Sequence, residues 1–289
     1  MSEPKFDVAG IGNAIVDVIS EGTDAFLIAQ GIDKGGMRLI DEEGAASLYD
    51  AMGSAIEVSG GSCGNTIAGL AALGGRGAYI GKVRDDQLGA VFTHDIRALG
   101  VHFETPAAKI GPATARCLIV VTPDAERSMS TYLGACAGLG PDDVPEDLIK
   151  ASAITYMEGY LLAKEEVDIL FANEAEIMSL YEVETFDEAL QRVRKDCKFA
   201  ALTRSGAGSV IVGDGEVHVV DAEKVSQLVD TTGAGDLYAA GFLHGLSRGA
   251  DAATCGRLGS IAAAECIGHF GARPQADLSA LVKQKGISI

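Results

Sequence analysis

Short apolar runs alternate with helical patterns along most of this chain, and that alternation leaves few folds open. "FDVAGIG", "GAYIGKV", "AITYMEGYL", "VDILFAN" and "FAALTRSG" have the length and apolar character of strands buried on both faces. Between them, "SCGNTIAGLAALG" over 62–74 and "DDQLGAVFTHDIRALG" carry helical spacing and end on glycine, a C-terminal stop. "DDVPEDLIKAS" reads as a short acid-capped helix, and "EAEIMSLY" and "FDEALQRVRKD" as helices. "SVIVGDGEVHVV" is extended, and the last third is helical and rich in Ala and Gly. Alternating β and α units predict a mostly parallel sheet covered by helices on both faces. With 289 residues, 47% of them hydrophobic, the chain suits one large domain over 1–289. Extended pieces near 14–20, 33–40, 101–106 and 114–133 fall outside the alternation. The last turns at a Pro-Asp pair, and together they are expected to form a small, discontinuous β-sheet lid.

One connection does not fit. "AITYMEGYL" and "VDILFAN" both read as strands of a parallel sheet, yet only residues 162–166 separate them. A parallel crossover needs roughly a dozen residues or more. Either these strands are not parallel neighbours or the chain lacks a segment there, and the second is the expectation.

Net charge is −18, which opposes binding to nucleic acid or to anionic membranes. A small anionic ligand is not excluded, because backbone N–H groups bind phosphate whatever the net charge. Six cysteines without CxxC spacing read as reduced core thiols, and five histidines without metal-binding spacing argue against zinc. The N-terminus has no basic leader pattern, and no apolar run reaches membrane length. The reading is of a soluble, cytoplasmic protein.

In "DTTGAGD", Gly233, Ala234 and Gly235 precede a helix whose first-turn N–H groups have no intrahelical partners. Small residues let another group approach that backbone, and the helix dipole favours negative charge, so the turn is a candidate anion hole. Asp236 at its edge could take a proton from an alcohol while the hole stabilises a transferring phosphoryl group. Taken alone, the stretch also fits an aspartate capping its own helix, the lesser alternative. In "VSGGSCGN", Gly60 and Gly61 would let a polar ligand lie on the backbone, with the Asn65 amide bonding its hydroxyls; an ordinary loop and helix start is the alternative. Asn13 and Asp17 follow the first strand, at the carboxyl edge where parallel sheets bind ligands. Asp17 could hold two sugar hydroxyls, or these could be a turn Asn and a surface Asp. "GIGNAIVD" fails as a dinucleotide fingerprint because Ile15 replaces the third glycine, and "RGAYIGKV" fails as a P-loop because Arg76 and Val83 replace its glycine and hydroxyl.

Four spaced stretches, "DTTGAGDLYAAGFL", "SGGSCGNTIAGLAALGGRGAYIGKVRDDQLGAVF", "FANEAE" and "LTRSGAGSV", together resemble the ribokinase-like PfkB family of carbohydrate and nucleoside kinases, in the family's order from about residue 6 to 275. The resemblance implies a three-layer, Rossmann-like α/β fold with a β lid, and ATP-dependent phosphorylation of a hydroxymethyl group. It implies Asp236 as the catalytic base and the amides of Gly233, Ala234 and Gly235 as the anion hole. Asn173 and Glu176 match the pair that organises Mg2+ and phosphate through water, and Thr203, Gly206 and Gly208 the nucleotide-phosphate loop. Asn13, Asp17, Gly60, Gly61 and Asn65 match the substrate pocket. Asp230 and Thr232 match positions associated with a monovalent cation, K+. The family's crossover between "EGYL" and "FANE" is the piece absent here.

"GNAIVD", "GGSCGN" and the tail "CIGHFGARP" look more like the adenosine kinase branch than ribokinase. A nucleoside, adenosine first, is therefore preferred as acceptor over ribose, fructose or 2-keto-3-deoxygluconate. A non-catalytic nucleotide- or sugar-binding regulator is the rival of another class, and a scaffold partner a third. The chain is expected as a monomer or a homodimer whose lid edges pair.

Overall fold

The computed structural model describes residues 3–158, 167–213 and 215–289. Three strands follow the first reading closely. Strand β1 (Phe6–Ile11) is buried along its whole length and sits between later parallel strands. It runs into β2 (Ile15–Glu21), after which come helix α1 (Asp24–Ala29), β3 (Met37–Leu39), α2 (Glu42–Ala51) and β4 (Ala55–Gly60). Helix α3 (Ser62–Ala72) leads to β5 (Gly77–Ile80), and α4 (Gln87–Ala98), capped by the Asp86 side chain, leads to β6 (His102–Phe103). The antiparallel pair β7 (Ala115–Val121) and β8 (Arg127–Tyr132) precedes α5 (Glu146–Lys150) and β9 (Ser152–Met157).

The second half holds β10 (Ile169–Asn173), α6 (Glu174–Leu180), α7 (Phe186–Asp196), β11 (Phe199–Thr203), β12 (Ser209–Gly213) and β13 (Glu216–Val220). Three helices close it: α8 (Ala234–Ser247), α9 (Ala252–Cys266) and α10 (Leu278–Gln284).

These strands form three sheets. The first is wholly parallel, in the order β6-β5-β1-β9. The second is β10-β11-β12-β13, parallel only between β10 and β11 because β12 and β13 return as antiparallel neighbours. The third, the lid, is β3-β8-β7-β2-β4. One face of the lid packs Val18, Leu118 and Val120 against Leu27 of α1 and Ala45 and Leu48 of α2. The other face carries Ile15, Asp17, Cys117, Ile119, Arg127 and Met129 toward the cleft described below.

Two expectations about the lid need correction. Residues 101–106 do not belong to it: β6 pairs in parallel with β5 at the edge of the first sheet, because α4 returns the chain there as an ordinary crossover. The lid instead takes β4, whose burial is too irregular to read as an alternating strand.

β9 and β10 stand in different sheets, so they are not hydrogen-bonded neighbours. The expected missing segment at 162–166 lies outside the described residues. Among the described residues, β9 pairs only with β1 and β10 only with β11, and most of their side chains are half-exposed.

Helix α8 binds the two sheets together. Leu237 through Gly245 are all buried, with Leu243 packed in the core beneath β1 and Phe242 edge-on against Phe171 of β10. Helix α9 lies close against it, since a Cβ on Gly241 would overlap the backbone of Leu258. A helix apolar on every face is what such a central position requires.

Candidate active site

The carboxyl ends of the strands and the inner face of the lid enclose a cleft of about 590 Å3. It is lined by Asp17, Gly61 and Asn65 on one side, Gly233, Ala234, Gly235 and Asp236 on another, and Asn173, Glu176 and Thr203 on a third. Residues from five separate stretches of sequence thus converge on one space. Asn13, Gly60, Gly206, Gly208 and Asp230 lie outside that lining.

The start of α8 turns backbone amides toward the cleft. Gly233 adopts a left-handed conformation (φ +77°), and a Cβ there would overlap Ala272, so only glycine fits. The Ala234 N–H is taken by the Thr231 carbonyl, at 3.3 Å. The Gly235 and Asp236 N–H groups have no acceptor among the described residues. Gly235 is exposed to the cleft, and a Cβ added there would meet no protein atom within 4 Å. Nothing in the packing demands glycine at that position, whereas a ligand lying on the backbone would.

Asp236, in the first turn, is held at both oxygens. Ser62 Oγ donates to Oδ1 at 2.7 Å and Asn65 Nδ2 to Oδ2 at 3.0 Å. Its enclosure by protein raises its pKa above the usual carboxylate value, while those two hydrogen bonds and the charges of Arg127 and Arg273 pull the other way. Asn65 therefore faces Asp236 directly, and its own Oδ1 is buried without a hydrogen-bond partner among the described residues. An acceptor of hydrogen bonds left open beside a carboxylate is suited to a ligand hydroxyl.

Asp17 is buried, and no protein donor reaches its carboxylate among the described residues. Burial pushes its pKa up to about 7, with Arg273 and Arg127 opposing and Asp236 and Asp230 reinforcing the shift. Gly60 is glycine because a Cβ would overlap this carboxylate, and Gly61 (φ +81°) because a Cβ would overlap the Asn13 carbonyl. The Asn13 N–H donates to Glu158 Oε2 at 3.1 Å, and Cys63 N–H to Oε1 at 3.0 Å. Glu158, at the end of β9, so fixes the β1–β2 bend against the start of α3, which lacks a cap from its own side chains.

Asp230 is fully buried. Its Oδ1 accepts from the Thr232 N–H (2.9 Å) and Oγ1 (2.6 Å), and its Oδ2 from the Gly271 N–H (2.9 Å). Asn173 and Thr203 are register partners at the ends of β10 and β11. Asn173 Oδ1 accepts from the Glu176 N–H and Glu176 Oε2 from the Asn173 N–H, a reciprocal cap on α6. Gly206 lies in an exposed turn with open space around it, while Gly208 (φ +85°) abuts the Val220 carbonyl.

Sequence reasoning missed Ser62, Arg127, Glu158 and Arg273. Ser62 sits inside the glycine cluster, and Glu158 at a strand's carboxyl edge, so both carried a positional signal. The two arginines carried none, since pairing of the lid strands brings Arg127 to the cleft and tertiary packing sets Arg273 against Ser59 and Gly64 behind it.

The model of the pfkB family carbohydrate kinases matches residues 51–166 and 160–278, two stretches that meet at the β9–β10 connection. A probable sugar kinase from Rhizobium etli is 46% identical in sequence and superposes with a TM-score of 0.94 over 98% of this chain and 99% of its own. Adenosine kinase from Sinorhizobium meliloti is 47% identical, with a TM-score of 0.92 over 97% and 99% of the two chains. Adenosine kinase of Saccharomyces cerevisiae is 25% identical over 324 aligned positions, covering 90% of this chain and 94% of the yeast protein. Those positions outnumber the 289 residues here, so the yeast protein carries residues that this chain lacks.

Proposed function

Because this chain belongs to the pfkB family of carbohydrate kinases, we propose that it moves a phosphoryl group from ATP to the hydroxymethyl group of a nucleoside, with adenosine the favoured acceptor. The observation that carries the chemistry is the start of α8. Two amides without an acceptor among the described residues, a glycine that packing does not require, and a carboxylate with raised pKa stand within one helical turn.

In this reading the acceptor's ring hydroxyls donate to Asp17, a buried carboxylate in the cleft that has no donor among the described residues. Asn65 Oδ1 accepts a further hydroxyl. The hydroxymethyl group then points at Asp236, whose lone pairs exchange a protein donor for the acceptor O–H. Asp236 takes that proton as the oxygen attacks phosphorus. The Gly235 and Asp236 amides meet the charge on the transferring group, and Arg127 adds a positive charge from the lid. In this reading Thr203, Gly206 and Gly208 hold the remaining phosphates of ATP, which leave as ADP.

Asn173 and Glu176 fit a Mg2+ ion held through water: Glu176 offers one carboxylate at the cleft wall with one oxygen outside the capping bond, and Mg2+ keeps most of its waters. When bound, the ion would neutralise phosphate charge. Asp230 keeps one lone-pair site beyond its three hydrogen bonds, which makes it, with Thr232, the candidate for a K+ ion behind the anion hole.

Preference for a nucleoside rests on the lid. Its inner face presents Ile15, Cys117, Ile119 and Met129 beside Asp17, an apolar wall suited to a flat base more than to solvent-facing sugar hydroxyls. The test is ATP consumption with Mg2+ over adenosine, guanosine, ribose, fructose and 2-keto-3-deoxygluconate. Turnover on adenosine upholds the reading, whereas turnover confined to a free sugar overturns the acceptor and leaves the Asp236 chemistry standing.

A further inference from the structure

Three consecutive residues after α9 touch both halves of the cleft. The Gly271 N–H donates to Asp230, the carboxylate that shapes the anion-hole turn. Ala272 fills the space that a side chain on Gly233 would need. Arg273 reaches the other way, with Nε on the Ser59 carbonyl (2.8 Å), Nη1 on the Gly64 carbonyl (2.6 Å) and Nη2 on Ser59 Oγ (3.1 Å). Its guanidinium therefore spans the turn that contains Gly60, Gly61 and Ser62 and reaches the first turn of α3, where Asn65 stands. Ser59 is held from its other side by Asp95 of α4, whose Oδ2 accepts its N–H at 3.1 Å. A planar fork can grip two carbonyls at once, which an ammonium cannot do with the same geometry.

We propose that Arg273 is a positioning residue for phosphoryl transfer, the tie that sets the acceptor turn 59–64 in fixed register with the anion-hole turn 230–235. The proposal rests on the kinase reading of this cleft. Arg273 touches neither a reacting atom nor the phosphate path; it acts through Ser62 and Asn65, which aim Asp236. Its charge also faces Asp17, Asp236, Asp95 and Tyr79. Asp17 is faced in addition by Arg127 and Asp230, and Asp236 by Arg127, Ser62 and Asn65. Burial draws the Arg273 pKa down to about 10, which still leaves it charged at neutral pH.

The experiment compares wild type, Arg273→Met and Arg273→Lys by steady-state kinetics over a range of pH and by amide hydrogen exchange of the protein without ligands. Wild-type turnover on the acceptor panel judges the kinase reading by itself. Arg273→Met is expected to raise the acceptor KM about tenfold or more while the ATP KM stays within about twofold, the pattern of a misplaced acceptor. The acid limb of its rate profile moves to higher pH, because a cation facing two carboxylates is gone. Exchange across 59–65 quickens about tenfold or more. Arg273→Lys returns the acid limb and leaves the acceptor KM raised. A wild-type acceptor KM with wild-type exchange in the variants overturns the proposal, and so does an equal rise in both KM values with an unmoved limb. Should Arg273→Met fail to fold, Arg273→Lys decides by the same two readings. Should wild type turn over none of the panel, exchange alone decides.

Discussion

Gly235→Ala separates what the ligand needs from what the fold needs. Gly235 is the second residue of α8, at an ordinary helical φ, with open space where its Cβ would stand. Alanine is the better helix former by up to about 1 kcal/mol in a helix interior and less in the first turn, so about 0.5 kcal/mol of stabilisation is expected here. For a domain this size that moves Tm up by about 1–2 °C. The same methyl group sits beside the free Gly235 N–H, where a phosphoryl oxygen would accept at about 2.9 Å. Carbon cannot come that close, so the anion is displaced by roughly 1 Å, and displacements of that size cost about 100-fold in rate. The assay pairs kcat on the preferred acceptor with thermal unfolding followed by circular dichroism. A lower kcat with an equal or higher Tm is the expected outcome. Near wild-type kcat would refute the anion hole, and a Tm several degrees lower would refute the reading that packing leaves this glycine free.

Gly233→Ala is expected to lose both activity and stability, by about 2 kcal/mol or more, because the left-handed backbone and Ala272 each oppose a side chain; chemical denaturation reads this. Asp236→Asn should retain ATP and acceptor binding and lose about 100-fold or more in kcat, with retained kcat removing the base. Ser62→Ala takes away a hydrogen bond that lowers the Asp236 pKa, so the acid limb of kcat against pH should move upward, and an unmoved limb would show that another group titrates. For Asp17 the folded pKa, about 7, lies above the usual 3.8, so its contribution to stability is full below that usual value and lost as pH rises through about 7. Asp17→Asn should therefore gain on wild type between pH 4 and pH 8 by up to about 4 kcal/mol in urea unfolding, while its acceptor KM rises; parallel stability curves would contradict the burial argument.

The architecture was legible where periodicity is local. Glycine-closed apolar runs identified β1, β5 and β11, and the cap at Gly74 and Gly75 marked the end of α3. β4 was not read because its burial is irregular, and β6, only two residues long, was assigned to the lid although it pairs with β5; pairing, not propensity, decides such strands. In the site, Gly60 and Gly61 stood out in the sequence as a bed for a ligand, whereas the atoms that crowd them, the Asp17 carboxylate at Gly60 and the Asn13 carbonyl at Gly61, were not visible there. Asn65 was read as a substrate ligand, and its bond to Asp236 was not visible, since a side-chain amide gives no hint of which neighbour it will face. The arginines escaped for a similar reason. Long flexible side chains reach across more than 200 residues, as Arg273 does to Ser59, with no imprint on the local pattern.

Helix α8 is the only described element that carries both the Asp236 carboxylate and buried contacts to each of the two main sheets, whose facing strands β9 and β10 share no hydrogen bonds. Mechanically it is a beam laid across a seam. Any parting of the seam tilts the beam, and a tilt at its N-terminus shifts Asp236 against Ser62 and Asn65 before either sheet has melted. Catalysis would then fail at lower denaturant than the far-ultraviolet signal, and the interval between the two midpoints would measure how firmly the seam is held.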